Sequence, residues 1–189
     1  MILKFISKLY LKAIGWKIKG TFPSDIKKCV IIAAPHTSNS DFIIGRAAFY
    51  TLGIPKVTFL IKKELFFFPM GIFLKAMGGY PVDRKKNTIV KDSIESLAKR
   101  KRFYLLITPE GTRKLVKTWK KGYYHISYEA KVPIVVSYLN YEKKEGGVGF
   151  IFHPTGNYEE DFQKITDFYK DKTAKFPENF NLSEIYRNK

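Results

Sequence analysis

Short apolar runs alternate with helix-like stretches along most of this chain. The run at residues 29–34 (CVIIAA) holds six consecutive nonpolar side chains, which is typical of a strand buried on both faces of a sheet. Strands that alternate with helices of this length are characteristic of α/β domains. The pattern therefore predicts a single α/β domain with a largely parallel central sheet flanked by helices. Further strands are predicted at 56–61, 80–82, 103–107, 132–139 and 148–152, and helices at 41–52, 69–77, 88–102, 122–131 and 158–172.

The first 20 residues carry a lysine about every four positions (MILKFISKLYLKAIGWKIKG). These charges exclude a membrane-spanning helix, and no small-residue cleavage site of the secretory kind is present. On a helix, one stripe would hold Lys4, Lys8 and Lys12, and the other side would hold Leu3, Ile6, Tyr10, Ala13 and Ile14.

We expect an N-terminal amphipathic helix at residues 1–20 that associates with a membrane interface, followed by one folded domain at 21–189. Trp16 near the end of this helix suits the interface, where lysines meet anionic headgroups. A surface helix packed on the protein's own core is the alternative that the pattern leaves open.

The net charge of the chain limits its partners. Lysine and arginine total 34 against 17 acidic residues, so the formal net charge is +17. Such a surplus attracts polyanions, which include nucleic acid, an anionic membrane surface and phosphorylated substrates. The lone Cys29 excludes an internal disulfide and a cysteine-based zinc site, and its apolar neighbours predict a buried side chain.

An uncharged segment at residues 65–74 (LFFFPMGIFL) is flanked by Lys62, Lys63 and Lys75. The segment is too short to cross a bilayer. It is compatible with a place in the core, with a groove for an acyl chain, or with insertion into a membrane interface.

A histidine and an aspartate bracket the turn that follows the first predicted buried strand. His36 and Asp41 lie in the sequence PHTSNSD, at the carboxyl end of a strand, where open α/β sheets bind ligands. Five steps along a regular helix turn through about 140°, so the pair shares no helical face. With His36 in the loop and Asp41 in the first helical turn, however, the chain can bring them together. Asp41 would then orient one ring nitrogen and leave the other basic, which suits proton abstraction from a hydroxyl.

Two further turns combine glycine or acidic residues with cations. The strand at 103–107 runs into Thr108 and the sequence PEGTR at 109–113. The glycine permits close backbone approach to a ligand, and Arg113 can bind a phosphate or carboxylate through two nitrogens. The segment GGYPVDRKK at 78–86 is likewise a short strand that ends in cations. Taken singly, each turn is also compatible with ordinary solvated charges.

In order, these motifs resemble four sequence blocks of the glycerolipid acyltransferase family, which includes bacterial 1-acylglycerol-3-phosphate acyltransferase. His36 and Asp41 match the family's His-x4-Asp motif. The second block is similar to residues 79–84, the third matches 109–113, and the fourth is similar to 132–135. The resemblance extends over about residues 30–140. Thr108 departs from the family, which usually has an aromatic or aliphatic residue there.

The resemblance implies a role for each match. His36 would be the general base that deprotonates the acceptor hydroxyl, and Asp41 would hold it. Residues 132–135 would form a strand wall of the pocket. The donor would be a fatty-acyl thioester of coenzyme A or acyl carrier protein, with no cofactor or metal. The acceptor's glycerol phosphate would be bound by Arg84, Glu110, Gly111, Thr112 and Arg113.

We therefore expect a lysolipid O-acyltransferase that is peripheral or monotopic on the cytoplasmic face of the cell membrane. The expected acceptor is 1-acylglycerol-3-phosphate (lysophosphatidic acid), because two arginine blocks are available for a phosphate. Another lyso-lipid, such as an amino-acid lipid, is the alternative acceptor. From a different class, a basic nucleic-acid-binding protein would explain the charge, but it gives no reason for His36 and Asp41. We expect no nucleic-acid partner.

Overall fold

The computed structural model describes residues 2–54, 56–83 and 88–182. The strands are β1 (Lys17–Lys19), β2 (Lys28–Ala34), β3 (Val57–Lys62), β4 (Gly79–Val82), β5 (Phe103–Ile107), β6 (Ile134–Asn140) and β7 (Glu145–Phe152). The α-helices are α1 (Ile2–Ala13), α2 (Ser40–Thr51), α3 (Met70–Ala76), α4 (Ile89–Lys99), α5 (Gly122–Glu129) and α6 (Tyr158–Tyr169), with 3-10 turns at Lys63–Leu65 and Pro177–Asn179.

The strands of the described residues form one mixed sheet in the order β1-β7-β6-β2-β5-β3-β4. All neighbours are parallel except β6 and β7, which form an antiparallel pair. The predicted α/β domain with a largely parallel sheet is therefore confirmed. Parallel alignment also places the carboxyl ends of β2, β3, β4, β5 and β6 along one edge of the sheet, where ligands bind in open α/β folds.

Both faces of the sheet are covered, which explains the uninterrupted apolar run in β2. Val30 and Ile32 pack into a core shared with α4, α5 and α6. Cys29 and Ile31 point to the opposite face, where Phe49 of α2 covers them. Burial raises the pKa of the Cys29 thiol to about 12, so this side chain is an inert packing group.

The N-terminal region departs from the expected helix at residues 1–20. The helix ends at Ala13, Gly15 takes a positive φ of 76°, and β1 pairs in parallel with β7. Trp16, expected at the interface, is instead buried with Leu11 and Ile44. Trp16 is buried because the edge strand β1, which directly follows it, pairs with β7. This pairing is a long-range contact, and helical periodicity in the sequence cannot predict it.

Helix α1 packs on α2 through Leu11, which contacts Ile44 and Ala47, and most of its apolar side chains point to solvent. Its buried residues are Ser7 and Leu11. Of the predicted apolar stripe, Leu3, Ile6, Tyr10 and Ala13 are exposed, whereas Ile14 is half-buried and packs against the core around Leu11 and Trp16. We call the following exposed residues the α1 apolar face: Ile2, Leu3, Phe5, Ile6, Leu9 and Tyr10. Within the described ranges, the helices are too short or too polar to cross a membrane.

The uncharged segment at 65–74 is also mostly exposed. Phe68 is 84% accessible, and Phe67 and Phe73 are each 59% accessible. A place in the core, one of the three possibilities that the sequence left open, is therefore excluded for most of this segment. The described part of the chain thus exposes two apolar surfaces, the α1 apolar face and the segment at 65–74.

Candidate active site

The candidate site lies at the carboxyl edge of the sheet, where three loops meet. The first loop, residues 35–39, follows β2 and leads into α2. The second, residues 108–113, follows β5, which is the parallel neighbour of β2. Tyr141 follows β6, the parallel neighbour of β2 on its other side. The β2 loop is therefore enclosed by loops from both adjacent strands.

His36 and Asp41 are in contact, as the sequence predicted. His36 Nδ1 lies 3.2 Å from Asp41 Oδ2. Because an ionised carboxylate only accepts hydrogen bonds, this contact places the ring proton on Nδ1 and leaves Nε2 with a free lone pair. His36 keeps 22% of its side chain exposed, whereas Asp41 is buried. This arrangement suits a base that faces a substrate and a partner that does not.

Asp41 is fixed by the turn that precedes it. Its Oδ2 accepts hydrogen bonds from the backbone N–H groups of Thr37 and Ser38, both at 2.8 Å. Asn39 is the N-cap residue of α2 and makes no side-chain cap bond, whereas Ser38 Oγ accepts the backbone N–H of Ser40 at 3.2 Å. The carboxylate of Asp41 itself satisfies the backbone donors ahead of the helix.

The environment keeps Asp41 ionised. Burial alone would raise the pKa of this carboxyl, but hydrogen bonds from His36, Tyr141 and the backbone of Ser38 outweigh burial and lower the pKa below its ordinary value. A buried carboxylate that stays charged supports a protonated imidazole when His36 accepts a proton.

Glu110 lies beneath the loop that carries His36. Glu110 is 3% exposed, and its Oε1 accepts the backbone N–H of His36 at 2.9 Å. Among the described residues, no donor reaches its other oxygen, Oε2. Burial raises the pKa of Glu110 to about 7, although the hydrogen bond from His36 opposes that rise. Glu110, which the resemblance assigned to the acceptor's glycerol phosphate, thus contacts the backbone of the loop that carries His36.

The last two residues of the third block face outward. Arg113 and Thr112 are exposed. The guanidinium of Arg113 donates to the side-chain oxygen of Asn39, next to the start of α2. Gly111 has a φ of +67°, a left-handed conformation that favours glycine. This backbone bend lets Glu110 point inward while Arg113 points out.

The second block lies partly outside the described residues, and the fourth is buried in the sheet. Arg84 lies outside the described residues. Asp83, just before it, accepts a hydrogen bond from Lys63 at 2.5 Å. In the fourth block, Ile134 and Val135 are fully buried in β6. They build the sheet beside β2, and their side chains point into the cores on its two faces.

Sequence reasoning did not single out Tyr141, yet it is part of this site. Its hydroxyl donates to Asp41 Oδ1 at 2.5 Å and lies 3.2 Å from Ser40 Oγ. A signal was available, because Tyr141 lies two residues after the strand predicted at 132–139, at the end where ligands bind. Lys175 was also missed: its ammonium donates to Ser40 Oγ at 2.9 Å. No local pattern places a residue so far along the chain beside this loop.

The sequence model of the acyltransferase family matches residues 16–139 of this chain. The chain belongs to the acyltransferase family. The match contains His36, Asp41 and the PEGTR block, and it ends before Tyr141 and Lys175. Family membership favours the enzyme interpretation over the nucleic-acid-binding alternative.

Several curated proteins resemble this acyltransferase-family chain. It is 35% identical over 134 residues to a probable 1-acyl-sn-glycerol-3-phosphate acyltransferase of Mycoplasma pneumoniae. This alignment covers 67% of this chain and 50% of that protein. It is 35% identical over 120 residues to the 1-acyl-sn-glycerol-3-phosphate acyltransferase of Saccharomyces cerevisiae, covering 58% of this chain and 38% of that one. The chain thus spans half or less of the length of these relatives.

A solved structure shares the fold of this family member. The crystal structure of the 1-acyl-sn-glycerophosphate (LPA) acyltransferase PlsC from Thermotoga maritima superposes with a TM-score of 0.60 at 18% sequence identity. The alignment covers 86% of this chain and 72% of the other. At that identity the likeness is one of fold. Within residues 2–54, 56–83 and 88–182, no three histidine, cysteine or acidic side chains are grouped as metal ligands.

Proposed function

We propose that this chain transfers a fatty-acyl group from an acyl thioester to the free hydroxyl of 1-acylglycerol-3-phosphate and so forms phosphatidic acid. The observation that carries the proposal is the contact between His36 Nδ1 and Asp41 Oδ2 at 3.2 Å, in a member of the acyltransferase family. The contact leaves Nε2 available as a base. The printed names of the relatives from M. pneumoniae and S. cerevisiae support this acceptor.

His36 and Asp41 would act in a single displacement. Nε2 of His36 takes the proton of the acceptor hydroxyl while its oxygen attacks the thioester carbonyl carbon. The carbon–oxygen bond forms, the carbon–sulfur bond breaks, and the proton held by His36 passes to the departing thiolate. Because a thioester is already activated, positioning and general-base assistance supply most of the catalysis, and no covalent enzyme intermediate is needed.

Arg113 would bind the phosphate of the acceptor, together with Arg84. The Arg113 guanidinium is exposed and lies beside Asn39, three residues from His36 in the same loop. A phosphate held there keeps the glycerol hydroxyl close to the base. Gly111 and Thr112 would help to bind the same glycerol phosphate. We assign Glu110 a supporting role, since its buried carboxyl holds the His36 backbone and a carboxylate would repel a phosphate.

The enzyme would work on the cytoplasmic face of the cell membrane, as a peripheral or monotopic protein. Its substrate is a lipid, and the α1 apolar face and the segment at 65–74 expose large apolar side chains next to lysines. Apolar side chains can enter the interface while lysines meet anionic headgroups. The formal net charge of +17 would strengthen binding to an anionic surface.

A panel of donors and acceptors tests this function. The protein would be incubated with palmitoyl-coenzyme A or palmitoyl-acyl carrier protein and with 1-acylglycerol-3-phosphate, a neutral monoacylglycerol, or a lyso-lipid with an amino-acid headgroup. Mass spectrometry would identify the products. Phosphatidic acid as the main product supports the proposal. If only a different lyso-lipid is acylated, the proposed acyl transfer stands, but 1-acylglycerol-3-phosphate is rejected as the acceptor.

A further inference from the structure

The two oxygens of the Asp41 carboxylate have different partners. His36 and the backbone N–H groups of Thr37 and Ser38 all contact Oδ2. Oδ1 accepts a hydrogen bond from Tyr141, at 2.5 Å. Rotation about the bond that carries a carboxylate has only soft intrinsic preferences, so its plane is set by its hydrogen bonds. Tyr141 holds the side of Asp41 that His36 and the turn do not reach.

Tyr141 is itself held on several sides. Its backbone N–H donates to the carbonyl of Thr173 at 2.9 Å. Its ring packs edge-on against buried Trp16, with the ring centres 5.0 Å apart. Its hydroxyl lies 3.2 Å from Ser40 Oγ, which also accepts a hydrogen bond from Lys175. The backbone, the ring and the hydroxyl are therefore each fixed by a different element.

A hydrogen-bonded chain thus runs from Lys175 through Ser40 and Tyr141 to Asp41. Burial, together with the hydrogen bond to Asp41, raises the pKa of Tyr141 well above its ordinary value, so the hydroxyl keeps its proton at neutral pH. A hydroxyl that donates to an ionised carboxylate makes one of the stronger hydrogen bonds in proteins. In such a chain each bond polarises the next, and the Lys175 ammonium lies at its far end.

We propose that Tyr141 is a positioning residue for the His36–Asp41 pair. It acts through Asp41: by fixing the plane of the carboxylate, it fixes the orientation of the imidazole that accepts the proton. This inference rests on the acyl transfer proposed above. It adds a residue that lies beyond the family match, which ends at residue 139.

The test compares Tyr141→Phe with Tyr104→Phe. The first variant keeps the ring against Trp16 and removes the bond to Asp41. The second removes a hydroxyl that donates to the carbonyl of Ile26 at 3.1 Å, away from His36 and Asp41. Loss of one charge-assisted hydrogen bond should lower the kcat of Tyr141→Phe about tenfold, with KM for donor and acceptor within about twofold. Tyr104→Phe should keep the kcat of the unmodified protein.

A spectroscopic measurement separates positioning from a general loss of structure. The proton on His36 Nδ1 gives a downfield NMR signal when it is held by a carboxylate. In Tyr141→Phe this signal should move or exchange faster, whereas in Tyr104→Phe it should stay in place. An unchanged kcat, or a lower kcat with an unchanged His36 signal, would overturn the inference.

The activity of His36→Ala distinguishes failure of the proposed function from failure of the role of Tyr141. If His36→Ala transfers acyl groups as fast as the unmodified protein, the proposed reaction and the role of Tyr141 both fall. If His36→Ala is inactive while Tyr141→Phe has the full kcat, only the role of Tyr141 is rejected.

Discussion

Glu110 supports the backbone of His36 from below, with 2.9 Å between Glu110 Oε1 and the His36 nitrogen. The two residues are 74 positions apart in sequence and belong to the first and third of the family-like blocks. Parallel pairing of β2 with β5 brings their loops together. A mutation at Glu110 is therefore expected to disturb His36, the proposed base, and not only substrate binding.

The raised pKa of Glu110 predicts a pH-dependent stability. Its pKa is about 7 in the folded protein against an ordinary value of 4.5. The folded protein therefore holds a proton that the unfolded chain releases, so the contribution of Glu110 is fully present below pH 4.5 and is lost as the pH rises through 7. The loss is on the order of 3 kcal/mol.

Glu110→Gln isolates this effect, because the amide oxygen can accept the His36 N–H and the side chain cannot ionise. Urea unfolding at pH 5 and pH 8 should show that the variant gains stability relative to the unmodified protein at the higher pH. Parallel pH dependence in the two proteins would show that Glu110 does not titrate near neutrality. Glu110→Ala, which removes the acceptor, should lose about 1–3 kcal/mol.

Arg113 should discriminate acceptors by charge. Arg113→Ala is expected to raise KM for 1-acylglycerol-3-phosphate about tenfold, because it removes a charge-assisted contact to the phosphate. KM for a neutral monoacylglycerol should change less than about twofold. Lys117→Ala, another exposed cation in the same region, serves as the matched control. Equal losses on both acceptors would reject the phosphate role of Arg113.

The α1 apolar face should bind membranes. Phe5 is 63% exposed, so Phe5→Asp should leave the fold intact and weaken binding to vesicles that contain anionic phospholipid about tenfold or more. Val90→Asp is the control, because Val90 is an exposed apolar residue of α4. Helix α4 packs on the face of the sheet opposite to α2, on which α1 packs. Vesicle sedimentation measures both. Indistinguishable binding by the two variants would reject this surface.

The sequence predicted most of the fold because its strands are locally marked. Buried runs such as residues 29–34 and 103–107 coincide with β2 and β5 to within a residue. Strand β1 was missed because Lys17–Lys19 has three residues and forms only against β7. The exposure of residues 65–74 was not predictable either, since an apolar segment has the same composition in a core and on a lipid-binding surface.

For the candidate site, the sequence predicted several of the residues but few of the contacts that they make. His36 and Asp41 meet as expected because they are five residues apart and share one turn. Glu110 and Arg113 are three positions apart in one motif, yet Glu110 is buried and Arg113 is exposed, because Gly111 between them takes a left-handed conformation. Tyr141 and Lys175 reach Asp41 and Ser40 through sheet pairing and the segment after α6, which local sequence patterns do not encode.

The central claim is that His36 is the base of an acyl transfer, and one comparison tests it most directly. Thiol release from palmitoyl-coenzyme A would be followed in mixed micelles with and without lysophosphatidic acid, for the unmodified protein and for His36→Ala. The account predicts acceptor-dependent release that falls by about 10²-fold or more in His36→Ala, with an unchanged thermal unfolding midpoint. Release at a similar rate in folded His36→Ala would contradict it.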